Sequence, residues 1–348
     1  MPASASDANL RVMTERLHSV QARDAAPAEL LVAKAPVPRP AGRSTAETVI
    51  SARGLRVSYG DFEAVHGIDL EVFRGEVFAF LGPNGAGKTT TVELFEGYLE
   101  RTAGEDSVLG VDPQHADADW RERVGVVLQE SAVEPDLTVR ECLKLYAGYY
   151  GSARNVDELI ELVGLEEKSD VLGGQLSGGQ RRRLDVALAL VGDPELMFLD
   201  EPTTGFDPSA RRAAWEMIGG LQALGTTIFL TTHYMEEAEY LADRICVLAA
   251  GRIVGQGTPQ TLGGRDRARS EISFALPPGV GQADLPRPLL SALSDDHHGR
   301  VELRTETPME MLGTLAAWAN EHGYALDDIE VHRPTLEEVY LELTEGSE

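Results

Sequence analysis

Cysteine is scarce in this 348-residue chain: Cys142 and Cys246 are the only two, far apart and in no metal-like spacing. That excludes a disulfide framework and suits a reducing compartment. No stretch reaches the ~18 uninterrupted apolar residues that a membrane-spanning helix needs. The longest apolar run near the start, LLVA at 30–33, is too short for a signal-peptide core. The expectation is a chain that stays where it is made and meets a membrane only through a partner. Basic side chains are also few, 31 against 57 acidic ones, for a net charge of −26. Such a surface repels DNA and RNA, so no nucleic-acid partner is expected. Hydrophobic residues make up 43% of the chain, as in ordinary globular proteins, and its length suits one large domain or two modest ones.

Residues 1–46 are rich in Ala, Pro and Arg and read as a disordered leader, in which Leu10, Met13, Leu17 and Val20 could line a transient helix. From residue 48 the pattern becomes regular. TVISARGLRVSYG and AVHGIDLEVF alternate like an antiparallel pair of edge strands, and EVFAFLG reads as a buried strand followed by a helix, KTTTVELFEGYL. Strand patterns recur at 123–129, 195–200 and 226–233, with helical patterns between them. Alternation of this kind predicts an α/β fold with a mostly parallel sheet covered by helices, and the helical block at about 130–190 reads as an insertion. The turn-rich stretch 256–270 reads as a linker between a unit at 47–255 and a second at 271–348. The second unit carries sixteen acidic residues, four arginines and no lysine, and its strand and helix patterns predict a small acidic α/β domain. Leu336, Val339, Tyr340 and Leu343 recur at helical spacing, and the final helix is expected to bury that face on its own domain. His297 and His298 read as loop residues, not metal ligands.

Three short stretches carry chemistry. Gly82, Gly87, Lys88 and Thr89 satisfy G-x-x-x-x-G-K-[ST] between a predicted strand and a predicted helix. Glycines there let successive N–H groups converge on an anion at a helix N-terminus. Lys88 adds a mobile positive charge, and Thr89 a hydroxyl for Mg²⁺. The apolar run ELMFLDEP (195–202) ends in two carboxylates at the sheet edge where doubly wound folds bind ligands. Asp200 suits Mg²⁺, and Glu201, one residue on, suits polarising a water. LSGGQRRRLDVALAL (176–190) opens a second helix with Ser177, Gly178 and Gly179, another compact anion nest. The RRR at 181–183 reads as a solvated helix face whose arginines also screen nearby phosphates.

These stretches resemble the ABC ATPases, the nucleotide-binding cassettes of ATP-binding-cassette transporters, over about 48–255. Gly82, Pro83, Asn84, Gly85, Ala86, Gly87, Lys88, Thr89 and Thr90 are similar to the Walker A loop, Ser177, Gly178, Gly179 and Gln180 to the signature motif, and LMFLDEP to the Walker B strand with its catalytic glutamate. Gln129 resembles the Q-loop residue, Asp207 belongs to a stretch resembling the D-loop, His233 resembles the switch histidine, and Tyr59 resembles the aromatic that stacks on adenine. Phe206 departs from the family's usual Leu.

The resemblance implies ATP and Mg²⁺ as ligands, with Thr89, Gln129 and Asp200 at the metal and Glu201, His233 and Lys88 in catalysis. It also implies a head-to-tail homodimer of cassettes, a separate transmembrane permease subunit, and a peripheral place on the cytoplasmic side of the membrane. GYLERTAGEDSVLGVDP (97–113) and RPTLEEVYLELT (333–344) resemble drug-resistance-type exporter cassettes, so efflux of a hydrophobic drug or lipid is expected. The alternative is a soluble ABC ATPase acting on DNA or ribosomes. The acidic surface, the short Lys88-to-Asp200 gap and the single set of motifs count against it.

Overall fold

The computed structural model describes residues 47–129, 133–265, 269–294, 300–326 and 328–345. The leader at 1–46 and the His297–His298 pair fall outside the described residues.

β1 (Thr48–Tyr59) and β2 (Phe62–Phe73) form the antiparallel hairpin expected from their alternation. β3 (Val77–Leu81) is buried along its whole length and runs through the phosphate-loop candidate into α1 (Lys88–Phe95). β4 (Ala103–Val108), whose polar sequence AGEDSV gives no strand signal, adds to the other edge of β1. The short α2 (Ala118–Glu122) leads into β5 (Val124–Val127). Three helices then precede the next strand: α3 (Val139–Ala147), α4 (Val156–Leu162) and α5 (Gly178–Leu190). Thr138 and Ser177 open α3 and α5 with capping boxes, each hydroxyl accepting from a backbone N–H while Glu141 or Gln180 reaches back.

β6 (Leu196–Asp200), α6 (Pro208–Ala223), β7 (Thr227–Thr232), α7 (Met235–Leu241), β8 (Arg244–Ala249) and β9 (Arg252–Gly257) complete the main sheet. Its order is β5-β6-β7-β3-β8-β9, parallel except for β9. Register sets the site. Leu81 of β3 lies opposite Thr232 of β7, and Thr231 lies opposite Asp200 of β6. The loops leaving three strands distant in sequence therefore emerge side by side. Phe229 anchors the core beneath them, its ring 5.5–5.9 Å from those of Phe78, Phe80, Phe95 and Phe198.

The C-terminal residues form a separate three-stranded antiparallel sheet, β11-β10-β12. It comprises β10 (Ser270–Phe274), the short α8 (Arg287–Leu290), β11 (Val301–Thr305), α9 (Pro308–His322) and β12 (Glu330–His332). Ile272, Phe274, Leu303, Leu315 and Trp318 make its core. The last helix, α10 (Leu336–Glu345), does not join that core, against the expectation from its apolar stripe. Leu336 and Val339 instead pack with Ala79 and Leu81 of β3, Ala238 of α7, Val247 of β8, and Leu262.

Leu262, inside the expected linker, is fully buried there, so residues 256–265 are not a free tether. Glycine makes the seat possible: a Cβ on Gly263 would stand 2.4 Å from Val339 Cγ1, and one on Gly255 2.8 Å from Leu343 Cδ1. Val339→Asp would bury an unpaired charge against this apolar surface. It should cost about 3 kcal/mol or more of stability, read as a lowered urea midpoint. An unchanged midpoint would show that α10 does not dock on the unit built around the main sheet.

Candidate functional site

Six residues separate the buried end of β3 from α1, and their shape requires glycine at two places. Gly87 has φ 101° and immediately precedes α1. A Cβ there would meet Ala64 O at 2.7 Å, and one on Gly82 would meet Leu248 O at 2.3 Å. The loop is thus held close to β2 and β8, with its tip, Pro83 to Gly85, exposed. Lys88, 8% exposed, turns back over the loop, Nζ donating to Gly82 O at 2.7 Å and Pro83 O at 3.1 Å. Burial pushes its pKa down, while the Glu201 and Asp200 carboxylates oppose that shift.

Asp200 ends β6, and its carboxylate accepts a hydrogen bond from Thr231 Oγ1 across the strand pair. Glu201 leaves the strand with φ 45°, a left-handed conformation that non-glycine residues rarely hold. Its N–H donates to Thr231 O and Thr231 Oγ1, both at 3.1 Å. Its carboxylate accepts from Thr204 Oγ1 at 3.1 Å and lies 3.1 Å from His233 Nδ1. His233 follows β7 directly, so the pairing of β6 with β7 brings acid and imidazole together.

Asn84, Gly85, Lys88, Thr89, Gln129, Asp200, Glu201 and His233 line one cavity of about 490 Å³. Sequence reasoning named all eight. The signature residues are not among its lining: Ser177 and Gly178 are exposed at the start of α5, and a Cβ built on Gly179 would stand 4.0 and 3.9 Å from Phe206 and Ala210. Tyr59 is 49% exposed at the tip of the β1–β2 hairpin. Asp207 caps α6, accepting from Ser209 and Ala210 N–H at 2.9 Å each.

A nucleotide phosphate and Mg²⁺ suit this donor set. Glu93 and Glu96 of the α1 region lie near Asp200, and burial, with help from Asp200 and Glu93, pushes the Glu96 carboxyl up to about 8. Within the cavity the Asp200 and Glu201 carboxylates face Lys88, an arrangement that suits a cation between the carboxylates and a phosphate. No group of three or more His, Cys, Asp or Glu able to cage a metal occurs among the described residues. One aspartate with hydroxyl and amide oxygens matches Mg²⁺, which keeps waters and substrate phosphate oxygens in its shell.

Two polar residues of the site escaped sequence reasoning. Arg182 is not on a solvated face. It is 9% exposed, and its guanidinium donates to Asp200 O at 2.7 Å, to Pro202 O at 3.2 Å and to Leu128 O. A helix opening the signature stretch is thereby fastened to the carboxylate strand and to the residue before Gln129. The middle arginine of three identical neighbours carries no local signal of burial. Thr231 was legible in principle, since a hydroxyl residue in the apolar strand TTIFLTTH needs a partner.

Comparison with known proteins agrees with this geometry. Residues 65–204 match the model of the family described as ABC transporter, and residues 270–335 match one described as the C-terminal domain of ABC transporter domain-containing-like proteins. The chain is 41% identical over 313 residues to the Nod factor export ATP-binding protein I of Ralstonia nicotianae, covering 85% of this chain and 94% of that protein. It is 40% identical over 316 residues to the daunorubicin resistance ATP-binding protein DrrA3 of Streptomyces coeruleorubidus, covering 86% and 96%. Among solved structures, cbiO1 of Clostridium perfringens, part of the ABC transporter complex cbiONQ, superposes with a TM-score of 0.57 at 29% identity, covering 61% of this chain and 89% of that one. With a cavity built from phosphate loop, carboxylate strand and histidine, and with relatives matched along nearly their whole length, the chain belongs to the ABC transporter ATP-binding subunits, a family of ATPases.

Proposed function

We propose that this chain is the ATP-hydrolysing subunit of an ABC exporter, driving efflux of a hydrophobic drug or lipid through a separate membrane subunit. The observation that carries the catalytic part is the Glu201–His233 pair, 3.1 Å apart on the wall of the cavity that Lys88 and Asp200 share. Export rests on the names of the relatives, Nod factor export and daunorubicin resistance. No helix among the described residues is long and apolar enough to cross a membrane, which agrees with a separate permease and a peripheral position on the cytoplasmic side.

In this reading Glu201 accepts hydrogen-bonding from the attacking water and aligns it in line with the terminal phosphate, and His233 holds the carboxylate and the developing charge. Lys88 shifts from its loop carbonyls to the phosphate oxygens. Thr89, Gln129 and Asp200 would hold Mg²⁺, which supplies charge neutralisation on the transferred group. Ser177 and Gly178, exposed, and Gly179 and Gln180, half-buried, all lie outside their own chain's cavity and would complete the site of a second copy, with Asp207 nearby. ATP would then join two cassettes head to tail.

Inside-out vesicles carrying this chain and its cognate permease should accumulate a hydrophobic substrate only when ATP is supplied. ATP turnover stimulated by ribosomes or DNA, with no ATP-driven uptake, would favour the soluble-ATPase alternative instead.

A further inference from the structure

Glu237 occupies an unusual position for a carboxylate. It sits on α7, the helix after His233, and has no exposed surface. Its Oε1 accepts from Thr203 Oγ1 at 2.8 Å and from Trp215 Nε1 at 3.0 Å, and the Thr232 side chain faces the same carboxyl. Thr203 and Thr232 are themselves fully buried, and Trp215 is 7% exposed. Burying an acid this deeply is unfavourable unless its partners are fixed around it; Oε2 is buried without a hydrogen bond of its own, and the two bonds to Oε1 are what tie together the segments they join.

The identity of those segments gives the network its meaning. Thr203 stands two residues after Glu201, and Thr232 directly before His233. Trp215 lies on α6, the helix that Asp207 caps. A single carboxyl therefore fastens the turn leaving Glu201, the strand end delivering His233, and the helix beyond the Asp207 turn. Glu201 itself holds a positive φ, which persists only where surrounding contacts over-determine the backbone. Thr231 secures its N–H on one side, and the Thr203–Glu237 bond secures the chain on the other.

We propose that Glu237 is a positioning residue for hydrolysis, locking Glu201 and His233 at their mutual distance by tying the backbone next to each of them to one buried carboxyl. This rests on the reading of Glu201 and His233 as the water-handling pair. A conservative exchange tests the geometry apart from the charge, because Gln keeps the Oε1 acceptor that Thr203 and Trp215 use.

The experiment measures kcat for ATP hydrolysis and ATP affinity in Glu237→Gln, Glu237→Ala, Thr203→Val and the Thr203→Val/Glu237→Ala double variant, with Glu201→Gln as reference. Glu237→Ala should lose about ten- to a hundredfold in kcat, as misplacement of a catalytic group does, with ATP affinity within about threefold of wild type. Glu237→Gln should stay within a few-fold of wild type in both. Thr203→Val should lose kcat in the same direction, and the double variant should be no worse than Glu237→Ala, because both remove one contact. Wild-type kcat in Glu237→Ala would overturn the proposal, and so would equal loss of kcat and ATP affinity without rescue in Glu237→Gln. If Glu237→Ala does not fold, Thr203→Val decides, and an unchanged kcat there overturns it. Undiminished turnover in Glu201→Gln would instead refute the water-handling role on which the proposal stands.

Discussion

Glu201→Gln should lower steady-state ATP turnover by about two to four orders of magnitude, the range that a positioned general base supplies. Nucleotide binding should be retained. The substitution keeps the size of the side chain and an oxygen that can accept from Thr204 Oγ1, now 3.1 Å away. It removes the charge that faces His233 Nδ1 and would draw a proton from water. The backbone is unaffected, since the Glu201 N–H bonds to Thr231 do not involve the side chain. In the proposed head-to-tail pair, which shares ATP across the Ser177 helices, the variant should also accumulate as a nucleotide-bound dimer, visible by gel filtration with ATP. Phosphate release within about fivefold of wild type would sink the assignment of Glu201 as base, since far less would then be lost than that role supplies.

Lys88→Ala should abolish turnover and weaken ATP binding together, which separates it from Glu201→Gln. Removing one preorganised donor to developing charge costs about 10²–10³ in rate. Lys88 should also lose ground-state contacts, because its ammonium is the cavity-lining group of positive charge opposite Asp200 and Glu201. The fold should survive. Burial already disfavours the Lys88 charge, and the partners it leaves, Gly82 O and Pro83 O, sit at a loop whose tip is open to water. Fluorescent-nucleotide titration and phosphate release on the same preparation check both expectations. Tight ATP binding by a Lys88→Ala protein of unchanged thermal midpoint would contradict the phosphate-contact role.

The sequence by itself determined those parts of the site whose signals are local. The phosphate loop is legible because strand, glycines, lysine and helix follow one another within about a dozen residues, and backbone sterics leave few other uses for that order. The carboxylates at the end of LMFLD are legible because a wholly apolar strand in an α/β pattern must be central, and its polar end must lie at the sheet edge. Asn84, Gly85, Lys88, Thr89, Asp200 and Glu201 of the cavity carried such signals, whereas Gln129 and His233 were named only through the family resemblance.

Only the tertiary structure decided the rest. Arg182 is buried because its acceptors are carbonyls 18 to 54 residues away, and nothing distinguishes it in sequence from Arg181 and Arg183. Glu237 likewise draws its bonds from Thr203, 34 residues back, and Trp215, 22 back. The stripe on α10 announced that one face would be buried but not what would cover it. An amphipathic pattern records the burial of a face, whereas its partner is set by which surface remains uncovered once the sheet order is fixed. Here that surface is the apolar patch of Leu81, Val247 and Leu262, on the cassette and not on the helix's own sheet.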